Sequence, residues 1–197
     1  AHGSNNPDGI EIKQHKGPDG KPVDGIPFHP FYTVKDMVGI TFFLILFAAV
    51  VFFAPEMGGR FLEANNFVPA DPLKTPEHIE PVWYFTPFYA ILRAVPDKLW
   101  GFILFGLSVV LPVFLPWLDR SRVKSIRYRG WIYKFALTVF VITFLTLGWL
   151  GVQPAEGVYV MMARIFTVLY FAFFLLMPYY TSIDKTKPVP ERVVYHG

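Results

Sequence analysis

Four long apolar stretches constrain this chain more than any other feature of its sequence. Met37–Ala54, Trp100–Leu118 and Phe135–Val152 contain no charged residue, and Val158–Tyr180 contains only Arg164. A helix needs roughly 20 apolar residues to cross a bilayer, and its backbone groups must be satisfied within the segment. The sequence therefore predicts an all-α integral membrane protein with four transmembrane helices and a long extramembrane loop between the first and second.

Two parts of the chain are expected to be irregular: the second span at its prolines, and the segment before the first span. Pro112 and Pro116 are expected to kink or end the second span, because proline lacks the N–H that a helix interior requires. Residues 1–36 are rich in Gly, Pro, Asn and Asp, which is typical of turns. We therefore predict an irregular cytoplasmic-side loop over 1–36 and a membrane domain over 37–197.

Basic residues predict the orientation of the spans. One short loop and its border hold a single acid, Asp119, and six bases: Arg120, Arg122, Lys124, Arg127, Arg129 and Lys134. Such loops stay on the cytoplasmic side. Both termini are then cytoplasmic, and the Pro55–Lys98 loop, with six acids and four bases, is periplasmic. Ordinary topology and contact with anionic lipid explain the basic cluster better than nucleic-acid binding.

Composition excludes several kinds of chemistry. The chain has no cysteine, which rules out disulfides and cysteine-ligated metal centres within it. None of its histidines lies inside a predicted span; they are His2, His15, His29, His78 and His196. The chain therefore predicts no metal site of its own and no axial haem ligand at membrane depth. Because it opens Ala1-His2-Gly3, we expect a processed chain or one part of a larger unit.

Two aromatic clusters remain as candidate sites. In the Pro81–Arg93 loop, rings and hydroxyls can hold a flat apolar substrate, and three titratable groups precede them as candidate proton acceptors: Glu77, His78 and Glu80. In Pro27–Asp36, an aromatic wall adjoins Lys35 and Asp36, which can exchange protons with a polar ring. The alternatives are a capping loop for the first cluster, and an interfacial aromatic belt with a helix-start acid for the second.

Several motifs in order resemble one family. They are Gly3-Ser4-Asn5-Asn6-Pro7, Ile26–Asp36, Pro69–Pro76, Pro81–Arg93 and Trp149–Pro154. Together they resemble the C-terminal half of cytochrome b from the quinol–cytochrome c oxidoreductase, or bc1 complex, of proteobacterial type. The resemblance covers nearly the whole chain, and Pro81-Val82-Trp83-Tyr84 is similar to the PEWY signature of that family.

The resemblance implies an assembly and a reaction. It implies a homodimeric complex in the bacterial inner membrane that oxidises ubiquinol and drives a proton-motive Q cycle. One electron goes to a Rieske iron–sulfur protein and cytochrome c1. The other crosses two b-type haems to a quinone-reduction site. The implied partners are these subunits, lipid, and an N-terminal haem-binding half on the same or a separate polypeptide.

The resemblance also assigns residues to two quinone sites. The quinol-oxidation site comprises Pro81, Val82, Trp83, Tyr84, Phe85, Tyr89 and Arg93. The quinone-reduction site comprises Ser4, Asn5, Phe28, Lys35 and Asp36, with Asp36 as the expected proton donor. His2 is a further candidate, although it lies one residue before Gly3 and the family histidine lies three before its glycine.

Two departures limit what the chain can do by itself. Val82 replaces the glutamate of PEWY and cannot take a proton, so Glu80, Glu77 or His78, or water beside Tyr84, is expected to take the second proton. The four haem-ligating histidines are absent, so the chain alone is not expected to be active. A b6f-type subunit IV, which has three spans and lacks the Gly3–Pro7 turn, is one alternative. A non-catalytic membrane scaffold or channel-like protein is the other.

Overall fold

The fold is known from a computed structural model that describes residues 7–9, 18–20, 27–59, 68–74 and 81–191. The chain divides into two units. One comprises Ala1–Glu11 with His78–Gly197, and the other comprises Ile12–Glu77. Within the described ranges all regular structure is helical, as predicted.

The smaller unit contains one long helix. Helix α1 spans Phe31–Phe53. Its 23 residues measure roughly 34 Å at 1.5 Å per residue, which is enough to cross a bilayer core. The helix begins six residues before the predicted span, because residues 31–36 have helical geometry and Tyr32 N–H donates to Phe28 C=O. It ends before Pro55, which cannot continue a helix.

The larger unit contains six helices among its described residues. They are α2 (Thr86–Ala94), α3 (Lys98–Val110), α4 (Leu115–Leu118), α5 (Trp131–Gly151), α6 (Gly157–Leu175) and α7 (Met177–Ile183). The Asp97 side chain caps α3 by accepting from Trp100 N–H at 2.9 Å. Four candidate membrane spans result, over Phe31–Phe53, Lys98–Leu118, Trp131–Gly151 and Gly157–Leu175.

Prolines shape two of the spans. The second span changes from α3 to a 3₁₀ turn at Leu111–Phe114, which contains Pro112, and then to α4, which contains Pro116. The predicted irregularity is therefore confirmed. The fourth span is interrupted at Leu176, just before Met177-Pro178, so α6 ends five residues before the predicted limit at Tyr180.

Helix α2 lies at the centre of the packing in the larger unit. It contacts α3, α5 and α6, and its Ile91 is completely buried, as is Leu147 of α5. Tyr170 of α6 is also buried, and its hydroxyl donates to Ser108 C=O of α3 at 2.7 Å. The short helix is thereby fixed against three membrane-spanning helices.

Candidate functional site

The Pro81–Arg93 segment is half loop and half helix. The sequence predicted a loop throughout, but Thr86–Ala94 forms α2. Pro87 explains the start, because proline suits the first turn of a helix, where its missing N–H costs nothing. Thr86 Oγ1 donates to Trp83 C=O at 2.7 Å, and Phe85 N–H donates to Val82 C=O at 2.8 Å. The residues of the PEWY-like motif are therefore held in a tight turn at the helix start.

The aromatic side chains of this turn lie on its outer side. Trp83 is 69% exposed, and Val82, Tyr84 and Phe85 are also exposed. The Trp83 ring meets Tyr84 edge-on at 5.5 Å between centroids, and Tyr84 lies 5.0 Å from Phe85. A continuous aromatic surface of this kind can cover one face of a planar apolar ring, and the Tyr84 hydroxyl supplies a hydrogen bond.

The opposite face of α2 is packed closely against α3 and α5. Thr86, Ala90 and Ala94 are almost fully buried. A Cβ added at Gly151 of α5 would overlap Thr86 C=O, and one added at Gly101 of α3 would lie 2.6 Å from Leu92 C=O. Glycines on two spans therefore allow the backbone of α2 to approach them.

Arg93 lies near the carboxyl end of α2 and joins it to α5. Its Nη1 donates to Gly151 C=O at 3.2 Å and its Nη2 to Gln153 C=O at 2.9 Å. Its guanidinium also lies 4.9 Å from the centroid of the Tyr89 ring. These carbonyls end α5, where a cation is favoured by the helix dipole. Both terminal nitrogens bond to backbone, so Arg93 positions the segment.

A second arginine has the same role at the end of α2 itself. Arg164 of α6 donates from Nε to Ala94 C=O at 2.8 Å. From the sequence, Arg164 is notable only as the single charge within the fourth span. The structure instead shows a cation at a helix carboxyl terminus, which satisfies an otherwise unpaired carbonyl.

The second aromatic cluster lies at the start of α1 in the smaller unit. The rings of Phe28 and Tyr32 stack at 5.9 Å, and Lys35 Nζ lies 5.4 Å from the centroid of the Tyr32 ring. His29 Nδ1 is 3.3 Å from Thr33 Oγ1. Lys35 and Asp36 are exposed neighbours that point in different directions around the helix. The two charges are therefore available to a polar ligand.

Several predicted site residues lie outside the described ranges. They are His2, Ser4, Asn5, Glu77, His78 and Glu80. The segment that follows Ser4 and Asn5 is described from Pro7 to Gly9. Asp8 pairs with Arg127, Tyr128 Oη donates to Asp8 Oδ1 at 3.0 Å, and Gly9 adopts a φ of +67° against Lys124. This turn is therefore attached to the basic loop after α4.

The haem chemistry of the resembled family finds no ligand in the described helices. His29 is the sole histidine within the described ranges, and it precedes α1. The described residues also contain no group of three or more His, Asp or Glu side chains arranged to hold a metal ion. The described helices therefore offer no histidine as an axial haem ligand.

Sequence reasoning missed the residues that position the site. They are Thr86, Gly101, Gly148, Gly151, Arg164 and the backbone of Gln153. Two signals were present in the sequence: Thr86-Pro87 is a helix-start pattern, and Gly148 and Gly151 are three residues apart on one span. Neither signal identifies which element packs there.

Helix composition and the aromatic turn define a multi-pass helical membrane protein with a short helix wedged between its spans. Residues 69–171 match the family model described as cytochrome b(C-terminal)/b6/petD. The chain belongs to this family, as its ordered motifs predicted. Its sequence corresponds to the C-terminal half of cytochrome b of proteobacterial type.

The relatives support the assignment over almost the full chain. Cytochrome b of Allochromatium vinosum is 59% identical over 201 residues, covering 97% of this chain and 48% of the relative. Cytochrome b of Rhodospirillum rubrum is 49% identical, covering 96% and 44%. A chain of a hyperthermophilic respiratory complex III superposes with a TM-score of 0.80 at 38% identity, covering 92% and 44%. The chain thus spans about half the length of the relatives it matches.

Proposed function

We propose that this chain supplies both quinone-binding segments of a bc1-type cytochrome b, which oxidises ubiquinol in a proton-motive Q cycle. In this proposal the Pro81–Ala94 segment binds quinol on the periplasmic side. The Phe28–Asp36 segment contributes to quinone reduction on the cytoplasmic side. The complete complex is a homodimer with a Rieske protein and cytochrome c1 in the bacterial inner membrane. The b haems are ligated by the other half of cytochrome b.

One observation carries the proposal: an exposed aromatic turn directly precedes α2, a helix that is packed against three spans. Trp83, Tyr84 and Phe85 are exposed, while Thr86 and Ile91 in the same segment are almost fully buried. A loop that only caps the membrane surface requires the exposed rings, but it does not require close packing of α2 against three spans. A site that must orient a quinol ring does require that packing, because small displacements of a bound reactant lower the reaction rate.

In this proposal, the quinol protons must be removed without the glutamate of the PEWY signature. Oxidation of a quinol to a quinone releases two electrons and two protons. Val82 is 47% exposed on the aromatic turn but has no atom that can accept a proton. The carboxylates of Glu80 and Glu77 and the His78 imidazole precede this turn in the sequence and can accept a proton, and water beside Tyr84 is the alternative acceptor. We assign the second proton to Glu80 first.

The test is quinol-dependent cytochrome c reduction by the complete complex. Glu80→Gln should lower turnover by roughly 10²-fold, within the range of a lost general base, while complex assembly is unchanged. Glu56→Gln is the matched control, since Glu56 is an exposed carboxylate elsewhere in the same long loop. Unchanged turnover in Glu80→Gln, Glu77→Gln and His78→Asn alike would show that the proton leaves by another route.

The quinone-reduction assignment has its own test. Asp36 is exposed at the start of α1, so Asp36→Asn should leave the helix intact and remove the expected proton donor. We expect slower reoxidation of the b haems by added quinone, with quinol oxidation preserved. Asp19→Asn, in the preceding irregular segment, serves as the control. Equal reoxidation rates in both variants would remove Asp36 from the proposal.

A further inference from the structure

The turn at Pro7–Gly9 is attached to one stretch of the basic loop, Asp119–Gly130. Arg127 pairs with the Asp8 carboxylate, and Tyr128 Oη donates to the same oxygen, Asp8 Oδ1, at 3.0 Å. Ser125 Oγ donates to Pro7 C=O. Both segments lie outside the helices, so these contacts fix one loop to another.

The turn lies too close to the basic loop to be shifted freely. Gly9 has a φ of +67°, and a Cβ at this position would lie 2.9 Å from Lys124 Cβ and 3.0 Å from Ser125 N. Asp8 is only 8% exposed, and charged side chains are seldom buried to this degree unless they are paired. The backbone and the carboxylate therefore both specify where the turn lies.

The basic loop is itself fixed to the segment that follows α7. Tyr128 C=O accepts from Lys187 N–H at 2.7 Å, and Gly130 N–H donates to Asp184 Oδ2 at 2.8 Å. Gly130 directly precedes α5, and Asp184 directly follows α7. Tyr128 thus joins the Pro7–Gly9 turn, through its hydroxyl, to a support that two helices hold in place.

These contacts contribute position more than stability. The Arg127 side chain is 58% exposed, and an ion pair with so exposed a partner adds little free energy of folding. A hydroxyl that donates to a carboxylate oxygen nevertheless requires a defined direction and distance. The contact is therefore best explained by what the turn carries along the chain.

We propose that Asp8 and Tyr128 are positioning residues for quinone reduction, because they fix the turn that directly follows Ser4 and Asn5. This inference rests on the proposed function, in which Ser4 and Asn5 meet the polar quinone ring. Three residues of chain span at most roughly 11 Å, so fixing Pro7 restricts the positions open to Ser4. A displaced turn would weaken quinone binding without altering the chemistry of the site.

The experiment measures reoxidation of the b haems by added ubiquinone in the complete complex. Quinol-dependent cytochrome c reduction and the thermal midpoint are measured on the same preparations. Tyr128→Phe removes only the hydroxyl that donates to Asp8, so the KM for quinone should rise about five-fold, the effect of losing about 1 kcal/mol of binding, with the maximum rate unchanged. Tyr179→Phe, the same change at an exposed position of α7, should leave the KM unchanged.

A double variant tests whether the two residues act through one contact. Asp8→Asn weakens the same contact, so it should raise the KM by a similar factor, and Asp8→Asn with Tyr128→Phe should raise it no further. A rise of about 25-fold, the product of two independent effects, would overturn the proposal. Quinol oxidation and the thermal midpoint falling together with quinone reduction would also overturn it, because that pattern indicates a general structural role.

Asp36→Asn distinguishes this inference from the proposed function on which it rests. If Asp36→Asn slows haem reoxidation while Tyr128→Phe and Asp8→Asn behave like the unaltered chain, the positioning role is wrong and the quinone-reduction assignment stands. If all three variants reoxidise their haems at the unaltered rate and with the unaltered KM, both are wrong.

Discussion

Arginines secure both ends of the larger unit, but they do so in different ways. At the end with the aromatic turn, Arg93 and Arg164 donate to backbone carbonyls at helix termini. At the end with the basic loop, Arg129 and Arg127 pair with the carboxylates of Asp119 and Asp8. The first arrangement fixes the position of one helix relative to others. The second joins loop segments to one another.

The hydrogen bonds at the aromatic end fix the position of a helix, whereas the interactions at the basic end pair opposite charges. Carbonyls at a helix end accept from a particular direction, so Arg93 specifies where α2 lies. The Arg127 side chain is 58% exposed, and an ion pair with so exposed a partner tolerates rearrangement and contributes little stability. Substitutions at the aromatic end should therefore affect turnover through position, whereas those at the basic end should affect the local attachment of the loop.

The largest effect is expected from Gly151→Ala. Its Cβ would overlap the backbone of Thr86, which cannot yield as a flexible side chain can. We expect a loss of about 3 kcal/mol or more in stability, the upper end for overpacked sites, and a marked fall in quinol oxidation because the aromatic turn is displaced. Thermal unfolding and turnover of the complete complex measure both. Gly106→Ala is the matched control, since its Cβ would meet nothing within 4 Å; similar behaviour of the two variants would contradict the close seat of α2.

A smaller effect is expected from Arg93→Lys. Lysine preserves the charge but cannot donate to Gly151 and Gln153 carbonyls through a planar fork. Loss of one charged hydrogen bond should cost about 1.5–3 kcal/mol of local stability and lower kcat more than it raises KM. Arg122→Lys, on an exposed part of the basic loop, should leave both unchanged. A rise in KM alone would indicate that Arg93 binds quinol directly.

The sequence alone predicts the four spans, but it does not predict where α2 packs. Apolar stretches long enough for a bilayer predict helices because lipid allows few other structures, and all four were confirmed. The kink at Pro112 followed from its missing N–H. By contrast, the partners of Gly151, Arg93 and Arg164 lie 58 or more residues away along the chain, so no local pattern could identify them.

The smallest effect is expected at the basic end, from Asp8→Asn. The Arg127 partner is 58% exposed, so losing the ion pair should cost at most about 1 kcal/mol.

Burial raises the pKa of the Tyr128 phenol above its ordinary value of 10.0, and the Asp8 carboxylate raises it further. A raised folded-state pKa means that stability is constant below about pH 10 and falls as the pH rises through the folded-state pKa. Asp8→Asn should reduce this alkaline loss, because it removes one cause of the raised pKa. Thermal midpoints between about pH 9 and pH 11 measure the change, with Tyr128→Phe as the reference in which this contribution is absent. An alkaline loss of the same size in Asp8→Asn and the unaltered chain would show that Asp8 does not act on Tyr128.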